Sequence, residues 1–194
     1  MNKLTPTDLL GLEHYARERA DIRARVMAHK KARTVHVGPH ATWVFEDRET
    51  ISYQVQEMLR AERTFEAAGI QGELDAYNPL IPDGSNWKAT FLIEYVDEGE
   101  RRAALALMKG IEDRCWVQIA DFDRVYAIAD EDLERENDEK TSAVHFLRFE
   151  LSAPMSKAVK NGGAIHMGID FPGYRYQLMP VPPATRDTLA KDLA

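Results

Sequence analysis

Short apolar runs separated by turn formers dominate the chain beyond residue 88, and they constrain its fold more than any other feature. Ala89 to Val96, Cys115 to Ala120, Phe122 to Ile128, Ala143 to Leu151, Ala164 to Asp170 and Tyr174 to Met179 read as strands. Most of the gaps hold a turn or a short helix, whereas parallel neighbours need a crossover of about a dozen residues or more. The pattern therefore predicts an α+β fold with a largely antiparallel sheet, a long N-terminal helix and several shorter helices.

The first helix is expected over Pro6 to Lys31. Thr5 is placed to cap it, with Pro6 at the first helical position and Asp8 three residues after the cap. Leu9, Leu12, Tyr15, Ala16, Ile22 and Val26 form its apolar side. Arg19 falls within that side, either snorkelling to water or pairing with a buried carboxylate. A hairpin is expected from Arg33 to Glu46 around Gly38-Pro39-His40, then a helix from Thr50 to Ala68. Shorter helices are expected before Pro79 and over Arg101 to Lys109, and the acidic stretch Asp130 to Lys140 reads as an exposed helix or loop. Thr185 to Leu193 reads as a final amphipathic helix. The 194 residues suit one domain spanning 1–194, with residues 184–194 packing on the helix of residues 1–33.

Composition narrows the function classes. The net charge of −7 argues against a general nucleic-acid binder. The charge is uneven: residues 1–33 carry eight Lys/Arg against four Asp/Glu, while residues 121–139 carry nine Asp/Glu against two Arg. The two regions either form separate solvated faces or meet, within a chain or across a dimer. No apolar run approaches a membrane span, and the N-terminus shows no secretory pattern. With a single cysteine, Cys115, these features suggest a reducing, cytoplasmic setting.

Several ionisable residues interrupt the apolar patterning. Glu62 falls on the stripe of Ile51, Val55, Met58 and Phe65, where a carboxylate needs a cation, a metal or hydrogen-bond donors. Glu94 sits among apolar neighbours on its strand, and His145 shares a face with Leu147 and Phe149. With Glu46 and Glu57 these groups suit iron, manganese or zinc, or acid–base work; a buried salt-bridge network with Arg19, Arg48, Arg60 or Arg148 is the alternative. Glu57, Glu62, Glu94 and His145 are the candidate catalytic residues, and Glu62, Glu94 and His145 the candidate metal ligands. His29, His36 and His40 form a second possible zinc or nickel set, weighed against scattered surface imidazoles. Cys115 reads as a buried, inert thiol.

Four stretches carry a resemblance. They are Phe45-Glu46-Asp47-Arg48 with Tyr53 to Arg63, Tyr77-Asn78-Pro79-Leu80-Ile81-Pro82, Ala89 to Glu94, and Val144-His145-Phe146-Leu147-Arg148-Phe149. Together they resemble an uncharacterised bacterial domain-of-unknown-function family, family 3501. The matching positions include Glu46, Arg48, Gln54, Arg60, Asn78 and Arg148, which stand as candidates for cofactor binding, beside Glu57, Glu62, Glu94 and His145. The resemblance implies a setting near rubrerythrin-like and iron–sulfur proteins. With the charge asymmetry and the lack of a standard catalytic motif, it suggests an accessory or binding protein of redox or oxidative-stress metabolism, working as a homo-oligomer; the ionisable residues themselves suggest the alternative, a metal-dependent enzyme or metal-binding protein with a Glu/His pocket.

Overall fold

The computed structural model describes residues 2–194 apart from 133, 134, 136 and 138. Among the described residues the strands form two antiparallel sheets, as the short-connection pattern predicts. The first contains β1 (Thr34–His36), β2 (Ala41–Phe45), β3 (Asn86–Ile93), β6 (Ile128–Ala129) and β7 (Val144–Glu150), in the order β1-β2-β3-β7-β6. The second contains β4 (Cys115–Ile119), β5 (Val125–Tyr126), β8 (Ile165–Phe171) and β9 (Tyr174–Leu178), in the order β5-β4-β8-β9. The sheets share one apolar core. Trp43, Phe45, Trp87, Phe91, Leu147 and Phe149 enter it from the first sheet, and Val117, Ile119, Ile165 and Met167 from the second. Alternation from Trp87 along β3 and throughout β7 directs Trp87, Phe91, Leu147 and Phe149 inward. Each large apolar side chain so buried contributes about 1.5–3 kcal/mol.

The run expected as one strand from Phe122 to Ile128 is divided. Val125 and Tyr126 pair with β4, whereas Ile128 and Ala129 pair with β7, so this segment passes from one sheet to the other. That crossing carries the next residue, Asp130, to the edge of the core. The β1–β2 turn fits against the second sheet through Gly38. Its φ is +85°, and a Cβ there would lie 2.5 Å from the Tyr176 ring.

The N-terminal segment departs from expectation in its first turns. Thr5 and Asp8 form the predicted capping box, but around a 3-10 turn over Pro6–Asp8. Leu9 is extended, and α1 begins afresh at Leu12 and runs to Arg33. Only Tyr15, Val26 and Arg33 are buried along α1, and Ala16 is exposed. Its main partners are α2 (Arg48–Glu62) and α6 (Pro183–Leu189), and it also touches β2. α2, α3 (Ala67–Tyr77) and the first residues enclose a second, smaller core of Leu4, Ile51, Val55, Leu59, Leu74 and Ile81. Short helices α4 (Glu98–Leu107) and α5 (Ala153–Lys160) complete the α-helices among the described residues.

α2 is the main correction to the sequence-based expectation. It ends at Glu62, and Arg63 stops it in the left-handed region with φ 55°. Its buried residues stop at Leu59, so Glu62 occupies the predicted angular position on a last turn that nothing covers. Glu62 is exposed, and Phe65 lies 67% exposed beyond the helix. Periodicity sets the direction of a side chain, while the length of the neighbouring elements decides whether it is covered.

The basic and acidic regions do not meet through ion pairs among the described residues. α1 instead pairs with carboxylates of α2, its cap and the C-terminal segment: Arg19 with Glu57, Arg25 with Glu49, and Arg33 with Asp47 and Asp192. Carboxylates of the acidic segment pair with Arg135, His145 and Arg148, while its Arg124 lies 3.8 Å from Asp170 of β8. Of the acidic stretch, residues 133, 134, 136 and 138 lie outside the described residues.

Candidate functional site

His145 is fully buried on the inward face of β7, as its shared parity with Leu147 and Phe149 predicts. Its ring lies 5.8 Å from that of Phe91, so its polar atoms must find partners within the core. Nδ1 is 2.6 Å from Asp130 Oδ2, and Nε2 is 3.0 Å from the Ser142 carbonyl and 3.2 Å from Thr141 Oγ1. Beyond Nε2, at 3.9 Å, lies Glu112 Oε2.

Three elements bring these groups together. Glu112 opens a 3-10 turn that leads into β4. Asp130 follows the strand crossing and takes φ +48°, a left-handed conformation that Asp tolerates better than most residues. Its Oδ1 accepts from the Phe146 N–H at 2.9 Å and lies 3.2 Å from Arg135 Nε. Among the described residues, Glu112, Asp130 and His145 are the one group whose His, Cys or carboxylate donor atoms approach within 4.8 Å of one another.

The electrostatics follow from burial. Desolvation alone would depress the His145 pKa, but the Asp130 hydrogen bond and the Glu112 and Asp130 charges raise it above its ordinary value. Desolvation also raises the Glu112 carboxyl, despite the opposing charge of His145. Glu112 Oε2 is buried without a hydrogen-bond partner. An orphan carboxylate oxygen facing an imidazole is an expensive arrangement unless a proton or another cation joins it. Cys115, one turn on, is fully buried and its thiol is pushed well up, first by desolvation and then by Glu112, so it remains an un-ionised core thiol.

The other sequence candidates lie elsewhere. Glu94 follows β3, is exposed, and accepts from Thr42 Oγ1 at 2.5 Å; it shares neither a face nor a partner with His145. Glu57 receives both arms of Arg19, at 2.8 and 2.6 Å, and the Tyr15 hydroxyl at 2.7 Å. Arg19 is thus a carboxylate partner. Its hydrogen bonds hold Glu57 down at about 2, against the desolvation that would raise it. Glu46 is buried between the hydroxyls of Thr50 and Thr90, at 2.5 and 2.6 Å. Arg48 pairs with Asp8, and Arg148 grips Glu131 with two nitrogens and Glu150 with a third. Gln54 is half-buried and Arg60 exposed on α2. Asn78 holds the Leu4 backbone by both its amide groups, at 2.8 and 2.9 Å.

The three histidines considered as a second metal set are dispersed. His29 pairs with Asp47, His36 with Thr42, and His40 stacks on Tyr95. Glu112 and Asp130 were not legible as site residues. One lies in a turn and the other heads a segment that reads as solvated. The available signal was His145 itself, because a histidine on an apolar strand face requires partners from loops that cover the core.

Comparison with known proteins places the chain. No curated protein matches it. A crystal structure described as a novel protein of unknown function from Burkholderia pseudomallei K96243 is 53% identical, covers 100% of both chains and superposes with a TM-score of 0.95. The family model for a protein of unknown function, DUF3501, matches residues 3–193, the range that holds both cores, the helical layer and the Glu112–Asp130–His145 cluster; the chain belongs to that family.

Proposed function

We propose that this protein binds a single divalent cation between Glu112 and His145, with Asp130 orienting the imidazole. The observation that carries the reading is the buried Glu112 Oε2, which has no hydrogen-bond partner and faces His145 Nε2 at 3.9 Å. Ligands about 2.1 Å from a tetrahedral cation stand roughly 3.4 Å apart, so only a few tenths of an ångström separate this spacing from a coordinating one. One imidazole and carboxylate oxygens suit zinc, manganese or ferrous iron. Asp130 orients the ring through Nδ1, leaving Nε2 to coordinate once its proton is lost. The family resemblance supplies a setting for such a site, an accessory role in redox or oxidative-stress metabolism as a homo-oligomer beside a rubrerythrin-like or iron–sulfur partner.

A second reading draws on the fact that both ring nitrogens have oxygen acceptors, Asp130 and the Ser142 carbonyl. That pattern also suits a buried imidazolium whose role is structural. Elemental analysis separates the two, on protein purified without a chelator and then equilibrated with zinc, manganese or ferrous iron. Near-stoichiometric metal, lost in Glu112→Gln and His145→Ala, supports the metal site. A wild-type protein that stays empty after equilibration refutes it in favour of the ion pair.

A further inference from the structure

A cleft remote from His145 in sequence is formed by other elements. α1 and α2 do not close fully on one another. Between them runs a cleft of about 410 Å³, within the size range of small-molecule sites. Leu10, Tyr15, Ile22, Val26 and Tyr53 supply its apolar and aromatic lining, beside the polar Ser52 and Gln56. Tyr15 and Val26 are buried, while Ile22 and Tyr53 are only half covered, so part of this apolar lining faces open space. The rim holds two cations and two carboxylates, Arg25 and Arg48 with Glu49 and Asp8.

The rim pairs are looser than the two-nitrogen or buried arginine contacts and resemble exposed single pairs such as Arg175–Asp170 at 3.0 Å. Arg19 and Arg148 each grip a carboxylate with two nitrogens, and Arg33 is buried against three elements. At the cleft, Arg25 meets Glu49 through one contact of 3.2 Å, with 68% of its side chain exposed. Arg48 meets Asp8 at 2.6 Å and the Asn2 carbonyl at 3.2 Å, with 41% of its side chain exposed. Solvated pairs of this kind contribute little, so an incoming ionic group exchanges with them at small cost. Arg48 and Glu49, one basic and one acidic residue of the first turn of α2, both line the cleft.

A simple anion would be attracted by the arginines and repelled by Glu49 and Asp8, and a simple cation the reverse. A zwitterion satisfies both. We infer that the α1–α2 cleft binds a free α-amino acid with an apolar or aromatic side chain. Its carboxylate would lie towards Arg25 and Arg48, its ammonium towards Glu49 and Asp8, and its side chain over Ile22, Val26 and the tyrosine rings. This goes beyond the cation reading and uses none of the same residues.

The test is two-dimensional NMR titration of the full chain with L-leucine, L-phenylalanine and L-tryptophan. N-acetyl-L-phenylalanine, which lacks the ammonium, and L-phenylalaninamide, which lacks the carboxylate, serve as controls. Saturable shifts confined to residues around the cleft are expected with the amino acids, and at least tenfold weaker binding with either control. Arg48→Leu should weaken binding about tenfold, the loss of one ionic contact worth about 1.4 kcal/mol. Ile22→Trp, which fills the floor and leaves the rim intact, should abolish it. Glu112→Gln should leave it unchanged, which separates this result from the fate of the metal site. No saturable shift up to about 10 mM of any of the three amino acids, a range that detects even millimolar binding, overturns the inference. Equal binding of the acetylated or amidated control, or shifts remote from α1 and α2, overturns it as well.

Discussion

Removing the Arg33 guanidinium should expose how the two ends of the chain are joined. Arg33 is 1% exposed at the end of α1 and donates to the carbonyls of Phe45 and Glu46, at 2.8 and 3.0 Å. It also faces two carboxylates, Asp47 at 3.3 Å and Asp192, which it contacts through both terminal nitrogens. Asp192 is 3% exposed, so Arg33→Met would leave a buried carboxylate with no guanidinium, while Asp47 would keep His29 at 2.6 Å. Breaking a buried pair from one side costs about 3–5 kcal/mol. For a chain of this length that corresponds to a fall in Tm of roughly 6–20 °C.

The loss should depend on pH, with a sign that follows from linkage. Desolvation already raises Asp192 to about 6 in the folded protein, against the charge of Arg33. Its folded form therefore holds a proton more tightly than the unfolded chain, and its contribution to stability grows as pH falls from neutrality towards 4. Without Arg33 the pKa rises further and the penalty at neutral pH is larger. The gap between variant and wild type should accordingly narrow from pH 8 to pH 5.5, measured by urea unfolding at each pH. Arg33→Met/Asp192→Leu should recover much of the loss, because an apolar pair replaces an isolated charge. A single-variant loss below about 1 kcal/mol, or one that does not change with pH, would refute the reasoning.

Glu57→Gln should cost about 1 kcal/mol or less at neutral pH, because the Arg19 pair is partly exposed. Glu57 is depressed to about 2, so its contribution is present above the unfolded carboxylate range and fades as pH falls through that range towards 2; acid titrations of wild type and variant should converge there. Asn78→Ala removes both hydrogen bonds to the Leu4 backbone. It should lower stability by about 1–3 kcal/mol, and amide exchange at Leu4 should quicken far more than at Phe91 in the main core; equal protection at Leu4 would count against the clamp.

The matched family positions acquire different physical meanings once their neighbours are known. Glu46, Glu57, Asn78 and Arg148 each make local ties that hold helices, the N-terminal segment or a sheet edge in place. His145 alone of the four candidate catalytic residues joins a cluster of closely approaching ligand-type atoms, with Glu112 and Asp130. Glu62 failed as an interior residue because its helix ends there, and Glu94 because β3 ends one residue before it.

Local sequence determined the elements and the inward face of the strands. Alternation in β7 buries His145, Leu147 and Phe149, and Thr5, Pro6 and Asp8 build their capping box wherever the following helix begins. These outcomes depend on spacing within a few residues, which periodicity and capping chemistry describe. Only the tertiary structure decided that one short run divides between two sheets and carries Asp130 to His145. It likewise decided that Arg33 reaches Asp192 across most of the chain, and that α1 and α2 leave a cleft between them. Those features depend on where distant elements start, stop and cross, and a residue's own spacing along the chain contains no record of that.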